Sequence, residues 1–319
     1  MLVSVLLIIL GFILLIKGAD FLVDGASNLA KKCNIPDIII GLTIVSIGTS
    51  MPELFVSSTS AINGSSDMAI GNIIGSNLCN LLMILGISAL IKPVKFQKET
   101  RLIEIPICLI VTIIFAIFCN TSGTITRIEA LILIFLFALF IIYTIIVGKN
   151  GKTLDLENVF IEIQSGDTQI SLKESIILII SGIIGLKIGG DLTVENATKL
   201  AEMFNVSEKI IGLTILAIGT SLPELVTSVT AAIKGNSDIA IGNIIGSNIF
   251  NILFIIGVSA IISPLTYNFT YNIQTGILIL STIILLIFPL IPPKNEMSRF
   301  NGLIYLAIYV VYMVILFVI

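Results

Sequence analysis

Two acidic residues lie deep inside apolar stretches of the sequence, at matching positions. Glu53 and Glu224 end the segments GTSMPE and GTSLPE, and each lies about fifteen residues into an apolar run. An ionisable side chain near the middle of a bilayer costs about 2.5 to 3.5 kcal/mol on insertion scales, and such residues usually line an ion pathway or a binding site. Because no Lys or Arg lies in the central apolar runs to pair with them, the two carboxylates indicate a cation site.

The proline before each glutamate predicts a broken helix. Pro52 and Pro223 have no N–H group and clash with the carbonyl four residues back, which belongs to Gly48 or Gly219. Within a membrane, freed backbone groups are tolerated only where they line a cavity or bind something. The carbonyls around these glycines and the threonines that follow them are therefore candidate ligands beside the carboxylates.

Two similar segments, GNIIGSNLCN at 71–80 and GNIIGSNIFN at 242–251, add hydroxyl and carboxamide oxygens. Polar residues spaced by four share one helix face, and those that do so here are Asn72, Ser76 and Asn80 in the first segment and Asn243, Ser247 and Asn251 in the second. We predict that the last two of each set are ligands. The first of each set, together with Asn77 and Asn248, is interpreted as polar contact between helices.

All of these candidate ligands are hard oxygen donors. Ca²⁺ takes roughly six to eight oxygens in flexible geometry, whereas softer metals prefer imidazole or thiolate ligands. Two carboxylates neutralise one Ca²⁺, two Na⁺ or two protons. Because the empty, charged site is costly in hydrocarbon, it should cross the membrane only when loaded, which is a chemical basis for ion exchange.

The composition excludes several other functions. The chain has no histidine, so it has no His-metal centre and no Ser-His or Cys-His nucleophile. A net charge of -3 provides no basic field for nucleic acid. The four cysteines form no C-x-x-C pair, and we interpret them as small buried side chains rather than disulfides. An aspartyl intramembrane protease is disfavoured because Asp191, in a Gly-Asp pair, has no second embedded Asp partner.

Long apolar runs must position the polar residues. Only 12% of the residues are charged, whereas a soluble domain has roughly a quarter, and runs of about 20 residues match helices that cross a ~30 Å hydrocarbon core. Ten runs are present: residues 2–18, 38–62, 68–91, 103–119, 127–148, 174–191, 209–233, 239–262, 272–292 and 300–319. The first is predicted to be a membrane helix rather than a signal peptide, because its copy lies in mid-chain. The remaining acidic residues lie in loops or at the ends of runs, where solvation explains them.

The chain consists of two copies of one half. The stretch GLTIVSIGTSMPEL at 41–54 recurs at 212–225 with 11 of 14 residues identical and an offset of 171. Each half has five apolar runs, an odd number, so the second copy must enter the membrane upside down, which is an inverted-topology repeat. The predicted fold is therefore an all-α polytopic membrane protein of ten transmembrane helices. Its parts are a first five-helix repeat at 1–148, a linker at 149–173 and a second, inverted repeat at 174–319.

The distribution of basic residues predicts the orientation. If the N-terminus is outside, thirteen of the 17 Lys and Arg residues face the cytoplasm, in agreement with the positive-inside rule. Both termini are then extracellular and the linker is cytoplasmic, with Asp155, Glu157, Glu162 and Asp167 as solvated charges. The loops at 63–67 and 235–238, NGSSD and GNSD, are explained by turn formation and helix capping.

At these residues the sequence resembles the cation/Ca²⁺ antiporter superfamily, specifically its prokaryotic sodium/calcium exchanger-like members. The resemblance rests on the motifs G-T-S-x-P-E and G-N-x-x-G-S-N-x-x-N, each present twice in register, and it covers essentially the whole chain. It implies a sodium/calcium exchanger-like fold in which the second, third, seventh and eighth helices form the site. The long first and sixth helices would slide against that core and expose the site to alternate sides.

The resemblance also implies roles for individual residues. Glu53 and Glu224 would be the central Ca²⁺ carboxylates, and Thr49 and Thr220 would provide backbone oxygen. The residues implied mainly for flanking monovalent-ion sites are Ser50, Ser221, Ser76, Ser247, Asn80 and Asn251. Many characterised exchangers have Asp where this chain has Asn251, so the site carries at most two negative charges, which leaves room for proton coupling.

The sequence thus predicts an antiporter of the cell membrane that exports Ca²⁺ in exchange for Na⁺. We expect no enzymatic activity, no cofactor and no obligatory protein partner. A proton-coupled Ca²⁺ antiporter is the nearest alternative, and it would be driven by a pH gradient without Na⁺. A passive cation channel, from a different class, would conduct without a counter-ion.

Overall fold

The structure is a computed structural model that describes residues 2–150, 171–204 and 217–318. Most of the predicted linker, with its four acidic residues, lies outside the described residues, and so does the stretch 205–216, which includes the first residues of the recurring motif at 212–225. The helices are α1 Leu2–Cys33, α2 Asp37–Thr49, α3 Met51–Ile62, α4 Ser66–Ile91, α5 Thr100–Ser122, α6 Arg127–Asn150, α7 Leu172–Met203, α8 Ala217–Thr220, α9 Leu222–Ile233, α10 Ser237–Ile262, α11 Phe269–Leu290 and α12 Arg299–Val318.

Four short strands connect the ends of helices. They are β1 Val94–Lys95, β2 Thr124–Ile125, β3 Leu265–Thr266 and β4 Glu296–Met297. Strand β1 pairs antiparallel with β4 and β2 with β3, so each pair joins a turn of the first half to a turn of the second. The two halves are thus linked by backbone hydrogen bonds outside the helices. All four cysteines are free, and Cys79, Cys108 and Cys119 are buried, as expected from the sequence.

The chain is a multi-pass membrane protein by the length and hydropathy of its helices. Seven helices of the described ranges are long and apolar enough to cross a membrane, and α2 with α3, bent by 49°, makes an eighth if the pair is one span. The apolar helices Leu222–Ile233 and Arg299–Val314 are shorter, and the stretch 205–216, which precedes α8 and the first of them, is not described. The predicted total of ten spans and their inverted orientation therefore stay predictions.

Two helices extend well beyond the predicted apolar runs. The apolar runs 2–18 and 174–191 stop where charged residues begin, but α1 and α7 continue to Cys33 and Met203, with 32 residues each. Lys, Ala and Leu are good helix formers, so the helix continues where its lipid-compatible part ends. At 1.5 Å per residue each helix is about 48 Å long, well beyond a ~30 Å hydrocarbon core.

Glycines allow α1 and α7 to pack backbone to backbone. A methyl group at Gly182 would lie 2.6 Å from the backbone nitrogen of Leu22, and one at Gly18 would lie 2.7 Å from that of Leu186. Small residues at a helix interface permit such close approach in membranes. The two long helices therefore form one tightly packed pair.

Helices α4 and α10 form the centre of the molecule. Of their most apolar windows, 78% and 83% are buried, compared with 22% to 39% for the other candidate spans. At Gly242 in α10 the backbone approaches α2 closely, since an added methyl group would lie 2.9 Å from the Cα of Gly41. The polar residues of α4 and α10 are thus held away from lipid. In this buried position they can form a binding site.

Candidate ion-binding site

The predicted helix breaks are present, and each falls at a serine. Ser50 separates α2 from α3 with φ −84° and ψ 10°, and Ser221 has nearly the same conformation between α8 and α9, with φ −89° and ψ 6°. Pro52 and Pro223 therefore begin new helices, where a missing N–H group does no harm. The glutamate that follows each proline lies in a first helical turn, the end of a helix that favours negative charge.

Glu53 is buried and bound by two serine hydroxyls. Its Oε1 accepts hydrogen bonds from Ser76 Oγ in α4, at 3.3 Å, and from Ser221 Oγ in the opposite break, at 3.4 Å. Its Oε2 is buried without a hydrogen-bond partner. The carboxylate is thus held on one oxygen, and its other oxygen has unused acceptor capacity.

Glu224 is arranged in a related way. Its Oε1 accepts a hydrogen bond of 2.7 Å from Ser50 Oγ, which also lies 2.9 Å from Ser247 Oγ in α10. Its Oε2 is buried without a partner. Each glutamate therefore contacts the serine of the opposite break, and the two sequence motifs interlock at one place.

The predicted asparagine ligands lie where α4 meets α10. Asn80 Nδ2 donates to Asn248 Oδ1 at 3.1 Å, and Asn251 Nδ2 donates to Asn77 Oδ1 at 2.9 Å. The carboxamide oxygens of Asn80 and Asn251 are buried and unpartnered. Asn77 and Asn248 make the contacts between helices that the sequence suggested.

The two threonines before the breaks differ. Thr49 Oγ1 donates to Asn243 Oδ1 at 3.0 Å, whereas Thr220 Oγ1 is buried without a partner. Asn243 also donates through Nδ2 to Ser228 Oγ at 2.9 Å, and Asn72 donates in the same way to Ser57 Oγ at 3.0 Å. The first asparagine of each α4 or α10 set thus joins neighbouring helices, as interpreted from the sequence, while the threonine positions are not equivalent.

At this site four buried carboxylate and carboxamide oxygens therefore lack a donor: Glu53 Oε2, Glu224 Oε2, Asn80 Oδ1 and Asn251 Oδ1. A buried polar group left unsatisfied costs about 1–3 kcal/mol, and more when it is charged. Over the described ranges, no basic side chain forms an ion pair with either glutamate. The same ranges contain no group of three or more His, Cys, Asp or Glu side chains that could hold a metal ion by themselves. The charge and the free acceptors together fit a bound cation.

Helix α7 covers both breaks. A methyl group at Gly48 would lie 2.7 Å from Ile183 Cδ1, and one at Gly219 would collide with Val194. Side chains of α7 thus occupy the space that a side chain at either glycine would need. The glycine of each G-T-S motif thus places a long helix directly against a break.

The hydropathy pattern does not predict that Glu104 is buried. It places Glu104 at the end of an apolar run, where the carboxylate is expected to be solvated. That expectation is wrong, because Glu104 is fully buried in α5. Its Oε1 accepts a hydrogen bond of 3.0 Å from Tyr143 OH in α6, and its Oε2 has no partner. Glu104 lies four residues after Thr100, which is also buried. Because residues four apart share one helix face, this spacing indicates that both side chains face inward.

The loop between α9 and α10 joins three elements. Asn236 Oδ1 caps α10 by accepting from Ile239 N, and its Nδ2 donates to Asp37 Oδ2 at 2.7 Å and to Ser27 Oγ at 2.8 Å. Lys234 Nζ lies 2.8 Å from Asp24 Oδ1 and 3.2 Å from Asp20 Oδ1, both in α1. A cavity of about 630 Å³ borders this loop and the end of α1. Capping, as predicted for this loop, is only part of its role.

The equivalent acids of α7 pair differently. Asp191 and Glu195, which correspond to Asp20 and Asp24 at the offset of 171, bind Lys187 at 2.7 Å and Lys199 at 2.6 Å within the same helix. Helix α1 is thus bridged to the loop that precedes α10, whereas Asp191 and Glu195 form ion pairs within α7.

Comparisons with known proteins agree with one another. Residues 3–146 and 174–318 match the family model described as sodium/calcium exchanger protein. The chain is 37% identical to the putative antiporter CaxA of Alkalimonas amylolytica and 32% identical to the sodium/calcium exchanger MaX1 of Methanosarcina acetivorans, in both cases over 99% of each chain. Among solved structures, the sodium-calcium exchanger NCX_Mj soaked with Na⁺ and Ca²⁺ matches with a TM-score of 0.84 and 31% identity, over 98% of each chain.

Proposed function

The chain belongs to the sodium/calcium exchanger protein family, whose members are transporters rather than enzymes, and we propose that it exports Ca²⁺ in exchange for Na⁺ at the site around Glu53 and Glu224. Membership of the family makes it a cation/Ca²⁺ antiporter. The observation that supports this particular site is the set of four buried oxygens without a donor, on Glu53, Glu224, Asn80 and Asn251.

The proposed ligands divide by charge. Ca²⁺ binds the two carboxylates, together with backbone oxygen at Thr49 and Thr220 beside the breaks. The hydroxyls and carboxamides that complete the site and its flanking Na⁺ positions belong to Ser50, Ser221, Ser76, Ser247, Asn80 and Asn251. All of these are hard oxygen donors, the type that Ca²⁺ and Na⁺ prefer over nitrogen or sulfur.

Transport by alternating access follows from the charge of the site. Two carboxylates without counter-charge in a low-dielectric interior are costly, so the empty site should not reorient. A site neutralised by one Ca²⁺ or two Na⁺ carries no such penalty. The long helices α1 and α7 are packed as a pair, and α7 lies against the breaks at Gly48 and Gly219. These two helices are the elements that we propose to slide.

The coupling ion has one specific alternative. Asn251 is neutral, so three Na⁺ would leave the site with a charge of +1, whereas two Na⁺ or two protons would neutralise it. With no histidine in the chain, proton coupling would have to use Glu53 and Glu224 themselves. A proton-coupled exchanger is therefore the second candidate.

Ca²⁺ uptake into proteoliposomes with imposed gradients distinguishes the candidates. Sodium coupling predicts uptake when Na⁺ is trapped inside and replaced by K⁺ outside, and no uptake with a pH gradient alone. Uptake driven by the pH gradient without Na⁺ would favour proton coupling instead. Equal uptake under all gradients, with no requirement for a counter-ion, would indicate a passive cation channel and contradict exchange.

The orientation is part of the same proposal. We place both termini outside the cell membrane and residues 149–173 in the cytoplasm, with the repeats 1–148 and 174–319 inverted relative to each other. The excess of Lys and Arg on one side supports this arrangement.

A further inference from the structure

We propose that Asn77 and Asn248 are positioning residues that set the amide orientation of Asn251 and Asn80, so that both present oxygen rather than nitrogen to the cation. The inference rests on the proposed function, because it takes Asn80 and Asn251 to be ligands. It assigns Asn77 and Asn248 a role that is distinct from joining α4 to α10.

The orientation of the Asn77 amide is set by a backbone carbonyl, which can accept a hydrogen bond but cannot donate one. Asn77 Nδ2 lies 3.3 Å from the backbone oxygen of Asn248, and a carbonyl has no hydrogen to donate. The end of the Asn77 amide that faces this carbonyl must therefore be NH₂, and the other end must be oxygen. That oxygen lies 2.9 Å from Asn251 Nδ2, so the facing end of Asn251 must also be NH₂.

The same sequence of contacts runs in the opposite direction. Asn248 Nδ2 lies 3.2 Å from the backbone oxygen of Asn77, and Asn248 Oδ1 lies 3.1 Å from Asn80 Nδ2. Two backbone carbonyls thus determine the direction of four carboxamides. The two oxygens that remain, on Asn80 and Asn251, are the unpartnered ones.

The surroundings hold this arrangement in place. All four side chains are at most 1% exposed, so water is not at hand to replace a lost hydrogen bond. Asn80 and Asn251 lie in π-helical turns, Cys79–Ile84 and Asn251–Ile255, whereas Asn77 and Asn248 lie in the regular helix just before them. The positioning residues are therefore carried by regular helix in the two most buried of the candidate spans.

The direction of an amide matters for cation binding. A carboxamide turned by 180° would present NH₂, with its partial positive charge, where a cation must bind. In a buried site the resulting repulsion is strong because the effective dielectric constant is low. Without Asn77, the Asn251 amide would be free to adopt both orientations, and Ca²⁺ would bind less tightly.

A double-mutant cycle at positions 77 and 251 tests this role. Asp at position 251 has oxygen at both ends, so its orientation has no effect on the cation, and it would face Asn77 Oδ1 as a second acceptor. We expect Asn77→Leu alone to raise the Ca²⁺ Kd about tenfold, a change of 1.4 kcal/mol. In the Asn251→Asp background the same substitution should leave the Kd unchanged or lower it. The Kd is measured by calorimetry on the solubilised protein.

The controls separate positioning from packing. Asn196→Leu removes another buried carboxamide, one that donates to Leu192 O within α7, and it should leave the Kd unchanged. If Asn77→Leu does not fold, Asn248→Leu with and without Asn80→Asp forms the equivalent cycle. An equal rise in Kd in both backgrounds would overturn the proposal, because Asn77 would then act on Ca²⁺ binding independently of the side chain at position 251.

The two proposals can fail separately. Tight Ca²⁺ binding with additive effects would contradict the positioning role alone. Absence of exchange in proteoliposomes, with the coupling between positions 77 and 251 intact, would contradict the proposed transport and leave the positioning role supported.

Discussion

At the scale of single residues, the two glutamates depend on serines of the opposite break, and the two contacts are unequal. Ser50 Oγ lies 2.7 Å from Glu224, whereas Ser221 Oγ lies 3.4 Å from Glu53. Short hydrogen bonds to a carboxylate are considerably stronger than long ones. Ser50 also contacts Ser247, so it connects more of the proposed site.

Serine substitutions should reveal this inequality. Ser50→Ala is expected to weaken Ca²⁺ binding more than Ser221→Ala, because it removes the shorter of the two hydrogen bonds to a carboxylate. Calorimetric Kd values for the two variants provide the test. Equal losses, or a larger loss for Ser221→Ala, would contradict the order of strength inferred from the distances.

Glu104 should behave as a structural acid rather than as part of the ion site. Glu104→Gln keeps an oxygen acceptor for Tyr143 OH and should retain Ca²⁺ transport. Glu104→Ala removes that acceptor and should destabilise the protein by about 1–3 kcal/mol, seen as a lower melting temperature. Tyr143→Phe with Glu104→Ala should recover part of the loss, because no buried hydroxyl is then left unpaired. Loss of transport in Glu104→Gln would instead place Glu104 in the ion pathway.

Residue types and spacing predict the composition of the candidate site but not its contacts. The repeat shows that Glu53 and Glu224 are equivalent positions, and the proline before each predicts a break nearby. An offset in sequence cannot say which serine meets which carboxylate, since that depends on how the halves pack. The difference between Thr49 and Thr220 is hidden for the same reason. Glu104 was missed because hydropathy averages over all faces of a helix.

At the scale of helices, glycine determines how closely the long pair packs. At Gly182 an added methyl group would lie 2.6 Å from backbone of α1, whereas at Gly276 in α11 nothing lies within 4 Å of it. Gly182→Ala should therefore separate α1 from α7 and lower stability by about 1–3 kcal/mol. Gly276→Ala should raise stability slightly, because alanine is the better helix former. Melting temperatures of the two variants measure the contrast, and a stabilised Gly182→Ala protein would refute the close packing.

Helix lengths illustrate what hydropathy can and cannot determine. It locates α4, α5, α10 and α11 within a few residues, because their apolar stretches nearly coincide with the helices. It locates only the apolar parts of α1 and α7, because the turns at the ends of these helices are polar but still helical. The break at Ser50 could be predicted from Pro52, whereas the 49° bend depends on packing around it.

At the scale of the whole molecule, the ends of the two long helices differ. Lys234 bridges the loop before α10 to Asp20 and Asp24 of α1, while Asp191 and Glu195 of α7 are paired within their own helix. If α1 slides during exchange, the Lys234 bridges must break in each cycle. They therefore favour the conformation in which this end of α1 is bound to the loop.

Removing Lys234 should loosen that end of α1. In Lys234→Ala, nitroxide labels at Lys32→Cys on α1 and Lys98→Cys before α5 should give a broader or longer distance distribution by double electron–electron resonance, in a background without Cys33. Lys199→Ala, which breaks a pair within α7 only, is the matched control and should leave the distribution unchanged. An unchanged distribution in Lys234→Ala would show that the bridges do not hold α1. The effect should be modest, because partly exposed ion pairs contribute about 0–1 kcal/mol.

The sequence predicts the helical architecture of the whole molecule better than the differences between its two halves. Family membership and the internal repeat agree with the helical, multi-pass architecture. Orientation in the membrane rests on the distribution of basic residues, which the described helices do not test. The unequal ion pairing of α1 and α7 could not be predicted, since the partner of each acid depends on which lysines the packing brings near it.

Na⁺-gradient-driven Ca²⁺ uptake by Glu53→Gln and Glu224→Gln proteins in liposomes tests the central claim most directly. Glutamine keeps the size and the oxygen of each side chain but removes the charge that would bind the cation. The proposed site predicts that either substitution abolishes uptake while the folded protein is still incorporated, with Glu104→Gln as the active control. Full uptake by either variant would contradict the assignment of the two carboxylates as the ion-binding centre.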